Sequence, residues 1–208
     1  SMAGVSTRSR TQANRRTGLT CCGRGDPTRE DGLPATSIEG GFAPAAEMCQ
    51  GHGVMSRLGV ISDTHGWLRA EAVEALRGCD VIAHAGDVGD AEVLSQLRRM
   101  AVTYAVRGNS DRGSWCCSLP GQLSFQVDGL SCALVHELER LQGDPATEGH
   151  GLIISGHTHD ASIRTVGSIL YLNPGSAGPR RPGHRVTLCL VDIEAGRPNA
   201  RIVHLPED

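Results

Sequence analysis

Five apolar runs in this 208-residue sequence each end on a side chain able to bind a metal. Leu58-Gly59-Val60-Ile61 leads into Ser62-Asp63-Thr64-His65-Gly66, and Val81-Ile82-Ala83-His84-Ala85 leads into Gly86-Asp87-Val88-Gly89-Asp90. The run at 102–106 leads into Arg107-Gly108-Asn109-Ser110-Asp111, Leu134-Val135 stops at His136, and Leu152-Ile153-Ile154-Ser155 stops at Gly156-His157-Thr158-His159. Carboxylate oxygen, amide oxygen and imidazole nitrogen are the donors that Mn, Fe, Zn or Mg accept in various mixtures. In an extended backbone, residues two apart project to the same side, which predicts that Asp63 and His65 grip one object together. A single Asp-Thr-His after a strand is more often an ordinary turn. The recurrence at five strand ends is what points to a metal site.

Something must bring these residues together, and hydrophobic periodicity supplies it. Residues 57–62 read as a buried strand, 68–77 as an amphipathic helix, 80–85 as a second, apolar strand and 102–106 as a third. Asp90 is placed to cap a second helix that carries Val93, Leu94 and Leu97. Strand, helix, strand, helix, strand predicts a parallel sheet, whose strands end along one edge where ligands collect. In the second half, 123–127 and 130–135 flank Asp128-Gly129, a strong hairpin signal. Further strands are expected at 151–155, 161–166, 168–172, 185–193 and 200–205, with little helical pattern between them. The expected fold class is α/β, a four-layer αββα sandwich of two mixed sheets with outer helices.

Composition narrows the function. A net charge of -3 and an aromatic content of 3% argue against dedicated nucleic-acid binding. No apolar run reaches membrane-spanning length, so no membrane partner is expected. The eight cysteines show no paired CxxC spacing and read as reduced thiols of a cytoplasmic protein. Residues 1–54, rich in Ser, Thr, Arg, Gly and Pro, read as a disordered extension or an over-extended gene start ahead of Met55. His52, His150, His184 and His204 stand outside any constellation and read as surface or structural residues.

The ordered motifs DTH at 63–65, GDVGD at 86–90, GNSD at 108–111, His136, GHTH at 156–159 and NPGS at 173–176 resemble those of the calcineurin-like metallophosphoesterases. The similarity is strongest to their small bacterial and archaeal phosphodiesterase-like branch, and it makes 55–208 the metallophosphoesterase domain. It implies two divalent ions, Mn foremost, with Ni, Co, Zn, Fe or Mg as alternatives. Asp63, His65 and His159 would hold one ion and Asn109, His136 and His157 the other, with Asp87 as the bridge. Asp87, Asn109 and His136 would form the catalytic set. The implied activity is hydrolysis of phosphodiester, or monoester, bonds in a small-molecule substrate. The attacking group would be a hydroxide bridging two cations about 3.5–4 Å apart. NPGS would support the site rather than ligate.

Two departures matter. Ser110 stands where larger relatives carry a His taken to protonate the leaving group, so the proton donor is open. Glu137 follows His136 where relatives often have Gly, and would repel an anionic substrate if it faced the site. Arg107 and Arg112 flank GNSD as phosphate clamps or as ion-paired residues. His84 reads as a hydrogen-bonding neighbour of the ligands, and Asp111 and Asp160 as local capping acids. The retromer subunit that shares this fold supplies the alternative, a non-catalytic protein-assembly scaffold.

Overall fold

The structure, a computed structural model, describes residues 55–206, so the expected extension at 1–54 lies outside the described residues. The chain alternates β1 (Ser56–Ile61), α1 (Ala70–Ala75), β2 (Val81–His84), α2 (Ala91–Met100) and β3 (Val102–Ala105). It continues through β4 (Gln122–Val127), β5 (Leu130–Val135), β6 (Leu152–Ile154), β7 (Ser162–Val166), β8 (Ile169–Asn173), β9 (Thr187–Glu194) and β10 (Arg197–His204). These strands form two five-stranded sheets, ordered β10-β9-β1-β2-β3 and β4-β5-β6-β8-β7. β1, β2 and β3 run parallel in the first, and β5, β6 and β8 in the second. Both sheets are mixed, because β9 joins β1 and β4 joins β5 antiparallel.

Period-two alternation divides the apolar residues between layers. Leu58 and Val60 of β1, Leu130, Cys132 and Leu134 of β5, Leu152 and Ile154 of β6, and Cys189, Val191 and Ile193 of β9 fill the core between the sheets. Tyr104 of β3 stacks on Phe125 of β4 across that core at 4.4 Å between ring centroids. The alternate residues Ile61, Ile82, Leu188 and Leu190 face outward onto Ala72 and Leu76 of the α1 segment and Val93, Leu94 and Leu97 of α2. As expected, Asp90 caps α2, its carboxylate accepting from the Glu92 N–H at 2.8 Å.

Two outer features are smaller than expected. The outer face of the second sheet, with Ala133, Ile153 and Ile169, is met by Leu138 and Leu141 at a 3-10 turn, Leu138–Arg140, so the fourth layer is thin. α1 spans six residues instead of the expected 68–77, because its N-cap is Arg69, which makes no capping hydrogen bond. The Arg69 side chain instead stacks on Trp67 and donates to the Gly178 carbonyl. Gly78, in the left-handed region at φ 76°, follows the helix. No described helix is long and apolar enough to cross a membrane.

Candidate metal centre

Hydrogen bonding continues past the ends of β1 and β2 and fixes the turns that follow them. Asp63 N–H donates to Gly86 O, His65 N–H to Asp87 O and Gly66 N–H to Val88 O, at 3.0, 3.0 and 2.7 Å. Gly156 N–H likewise donates to His136 O, and Ala177 N–H to Ser62 O, both at 3.0 Å. Asp63, His65, Asp87, His157 and His159 all adopt left-handed backbone, with φ between 47° and 71°. Each such residue costs on the order of 1–3 kcal/mol and persists where its surroundings over-determine it. This corrects the expected route to the Asp63 and His65 pairing. β1 ends at Ile61, and two left-handed residues, rather than strand alternation, turn both side chains to the same place.

The resulting contacts are close. Asp63 Oδ2 accepts from Ser62 Oγ–H at 2.6 Å and from His157 N–H at 3.1 Å. Asp63 Oδ1 is buried with no aligned hydrogen-bond donor, although His159 Nε2 lies 3.1 Å away and His65 Nε2 4.0 Å. His159 Nδ1 is also buried and unpartnered. His136 Nδ1–H donates to Ala85 O at 2.7 Å, which turns Nε2 toward Asn109 Oδ1 at 2.9 Å and Asp87 Oδ1 at 3.5 Å. Once Nδ1 carries the proton, three acceptor atoms converge, a donor set that fits a divalent cation. Among the described residues, two groups of side chains offer ligand atoms within 4.8 Å of one another: Asp63, His65 and His159, and Asp63, Asp87 and His136. Asp63 is common to both, while Asp87 touches His136 and acts through its charge on His65. His157 is exposed, with its ring edge-on to His136 at 5.2 Å.

Electrostatics follow from this packing. Burial pushes the Asp63 and Asp87 carboxyls up, but their polar neighbours outweigh it, His159 and Ser62 at Asp63 and His136 and the Ser110 N–H at Asp87. Both stay ionised below the ordinary Asp range. Burial lowers His136, yet the Asp87 and Ala85 contacts raise it overall, whereas burial and then nearby Arg181 leave His65 lowered. His84 is fully buried and pushed down to about 4 by burial. Its Nε2–H donates to Thr64 Oγ1 at 2.9 Å, and that hydroxyl donates on to Val88 O, in keeping with its expected hydrogen-bonding place.

Other residues fell differently. Asp111 is buried and ties two loops, accepting from Gly89 N–H and Gly108 N–H at 2.8 Å each. A Cβ on Gly108 would run into the Asp87 backbone and carboxylate, so only glycine lets the Asn109 loop approach Asp87 this closely. Asn173 donates to Gly156 O at 2.8 Å and Ser176 to Asp63 O at 3.0 Å, so NPGS braces the turns. Glu137 is paired with Arg140 at 2.9 Å. Arg112 donates to the Asn109 and Asp111 carbonyls. The arginine at the centre is Arg181, whose NH2 lies 3.1 Å from His65 Nε2. Sequence reasoning missed it, and missed Ser62 and Thr64, because neither a loop arginine nor a turn hydroxyl carries a distinguishing pattern.

Two parallel strand sets, the turns at their carboxyl ends and a buried Asp/His cluster define a metal-dependent phosphoesterase fold. The chain belongs to the calcineurin-like phosphoesterase superfamily, whose domain profile matches residues 56–196. It is 35% identical over 150 residues to a probable metallophosphoesterase of Methanothermobacter thermautotrophicus, an alignment that covers 66% of this chain and 87% of the relative. Among solved structures, it resembles an archaeal phosphodiesterase with a TM-score of 0.57 at 22% identity, covering 72% of this chain and 99% of that one. It also resembles Vps29 of Entamoeba histolytica complexed with Zn2+, with a TM-score of 0.54 at 21% identity over 71% of this chain and 98% of the other. At these identities the structural likenesses establish the fold.

Proposed function

We propose that this protein is a cytoplasmic hydrolase of small-molecule phosphodiesters, with phosphomonoesters as secondary substrates, that works with two divalent cations, Mn foremost. The carrying observation is the Asp63 carboxylate, buried with Oδ1 free of hydrogen bonds and two imidazoles turned to it. A buried ionised carboxylate oxygen without an aligned donor is costly, and a cation removes that cost. Asp63, His65 and His159 would hold one ion. Asn109, His136 and His157 would hold the other, with Asp87 between them. When bound, the ions supply Lewis-acid polarisation of the phosphoryl group and a lowered pKa for water.

The protein's own groups do the rest. Ala85 O fixes the His136 tautomer by accepting from Nδ1–H. The Ser110 N–H holds Asp87 in place at 2.8 Å. Asn109 contributes a neutral oxygen, which limits the negative charge an anionic substrate must approach. The Ser110 hydroxyl, 3.5 Å from His65 Nδ1, stands at the position of the missing His; a good leaving group departs as its anion and needs no donor there, and a poorer one would take its proton from water.

Protein stripped with chelator and reloaded with Mn should hydrolyse bis(p-nitrophenyl) phosphate. No turnover with any of Mn, Ni, Co, Zn and Mg would overturn the reading. The likeness to Vps29 supports a second reading, a protein-assembly scaffold. That reading predicts no hydrolysis by wild type and a partner retained equally by wild type and Asp87→Ala in pull-down.

A further inference from the structure

Residues 178–185, Gly-Pro-Arg-Arg-Pro-Gly-His-Arg, carry three arginines and a histidine without one acid, in a chain whose net charge is -3. This strap is fastened to the metal centre at its start. Arg69 Nε–H donates to Gly178 O at 3.0 Å. A Cβ at Gly178 would run into the carbonyl groups of Asp63 and Thr64, so the strap lies directly on the DTH turn. Three residues on, Arg181 reaches His65, and the His184 ring sits 6.1 Å from that of His159.

Past His159 the strap opens into a cleft. His159, Arg180, His184 and Arg185 line a narrow gap at the metal centre. Arg180, His184 and Arg185 continue into an open cleft of ≈ 460 Å³, completed by Gly183, His204 and Leu205. Four of its six described lining residues are Arg or His and none of the six is acidic. Asp160, paired with His184 Nδ1 at 3.0 Å, is a neighbouring carboxylate, and its side chain is mostly exposed. Pro179 and Pro182 restrict the backbone of the strap, and a bridge between Ser176 and Val186 closes its base.

The geometry points to a second anion-binding subsite in this cleft, which receives an additional phosphate group of the substrate while the scissile phosphodiester lies at the metal centre. This rests on the phosphoesterase reading and narrows it to small organic diesters that bear a further phosphomonoester. Guanidinium groups match phosphate oxygens in geometry and charge. A cleft with several basic groups and no acid among its described lining residues concentrates positive charge in a chain whose net charge is -3. His184 and His204, which the sequence placed in no constellation, both line it.

The test uses two p-nitrophenyl esters of thymidine 5′-phosphate, one with a free 3′-hydroxyl and one with a 3′-phosphate. Wild type loaded with Mn should show kcat/KM about tenfold higher for the 3′-phosphorylated ester, the scale of one charge-assisted hydrogen bond. Arg185→Gln and His204→Gln, both at exposed positions and checked for unchanged melting temperature, should bring that ratio toward one. In parallel, calorimetric titration of metal-free protein with thymidine 3′,5′-bisphosphate should show binding that Arg185→Gln weakens about tenfold. Equal turnover of the two esters by wild type, a preference retained in both variants, or bisphosphate binding indifferent to Arg185 would overturn the subsite. If no ester turns over with any metal, the phosphoesterase reading fails, and the titration still decides the subsite.

Discussion

The Asp63 carboxylate faces two demands at once. Ser62 and the His157 N–H hold Oδ2, while Oδ1 is left to the cluster of imidazoles. Asp63→Asn keeps the shape and the Oδ2 side but removes the charge. It should lower metal affinity by about 10- to 100-fold or more, read by competition with a chelating dye, and abolish Mn-dependent turnover. His84 makes a different prediction, one of stability. Its folded pKa, pushed down to about 4, lies below the unfolded His value of about 6.5. The unfolded chain therefore binds more protons, and the stability from keeping His84 neutral is fully present above that unfolded value. It is lost as pH falls through the window between about 6.5 and 4, by roughly 3 kcal/mol at the acid end. The urea midpoint of wild type should fall across this window more steeply than that of His84→Gln. Equal slopes would remove burial of His84 as the cause.

At the level of elements, the turns after the strands decide the site. Asp111 spans the loops after β2 and β3 through two N–H groups. Asp111→Ala should loosen Asp87 and Asn109 together, reducing metal affinity by about 10-fold or more, and should cost about 1–3 kcal/mol of stability because two N–H groups lose their acceptor. The five apolar runs and their polar ends were legible because buried parallel strands and carboxyl-edge ligands both leave local sequence signals. The left-handed turns were not, since Asp and His at φ near 50° look no different in sequence from the same residues in a strand. α1 was over-read because Leu68, Val73 and Leu76 keep helical spacing although Arg69 is drawn off to Trp67 and Gly178. Arg181 escaped notice because its contact with His65 spans 116 positions and the loop that delivers it has no period.

Across the whole molecule, one interlayer core holds the two edges together, so the site depends on packing between sheets as well as within them. Leu134 of β5 is fully buried in that core, immediately before Val135 and His136. Leu134→Ala should destabilise the protein by about 2–5 kcal/mol in urea unfolding. The two-sheet architecture was legible from alternation and the Asp128-Gly129 hairpin, whereas the thin fourth layer was not, because Leu138 and Leu141 make it from a single 3-10 turn without an α-helix. The most direct measurement for the account is anomalous scattering from Mn-soaked crystals. The account predicts two peaks, one beside Asp63, His65 and His159 and one beside Asn109, His136 and His157, with Asp87 reaching both. Density without an ion at these side chains, or ions bound elsewhere on the molecule, would contradict it.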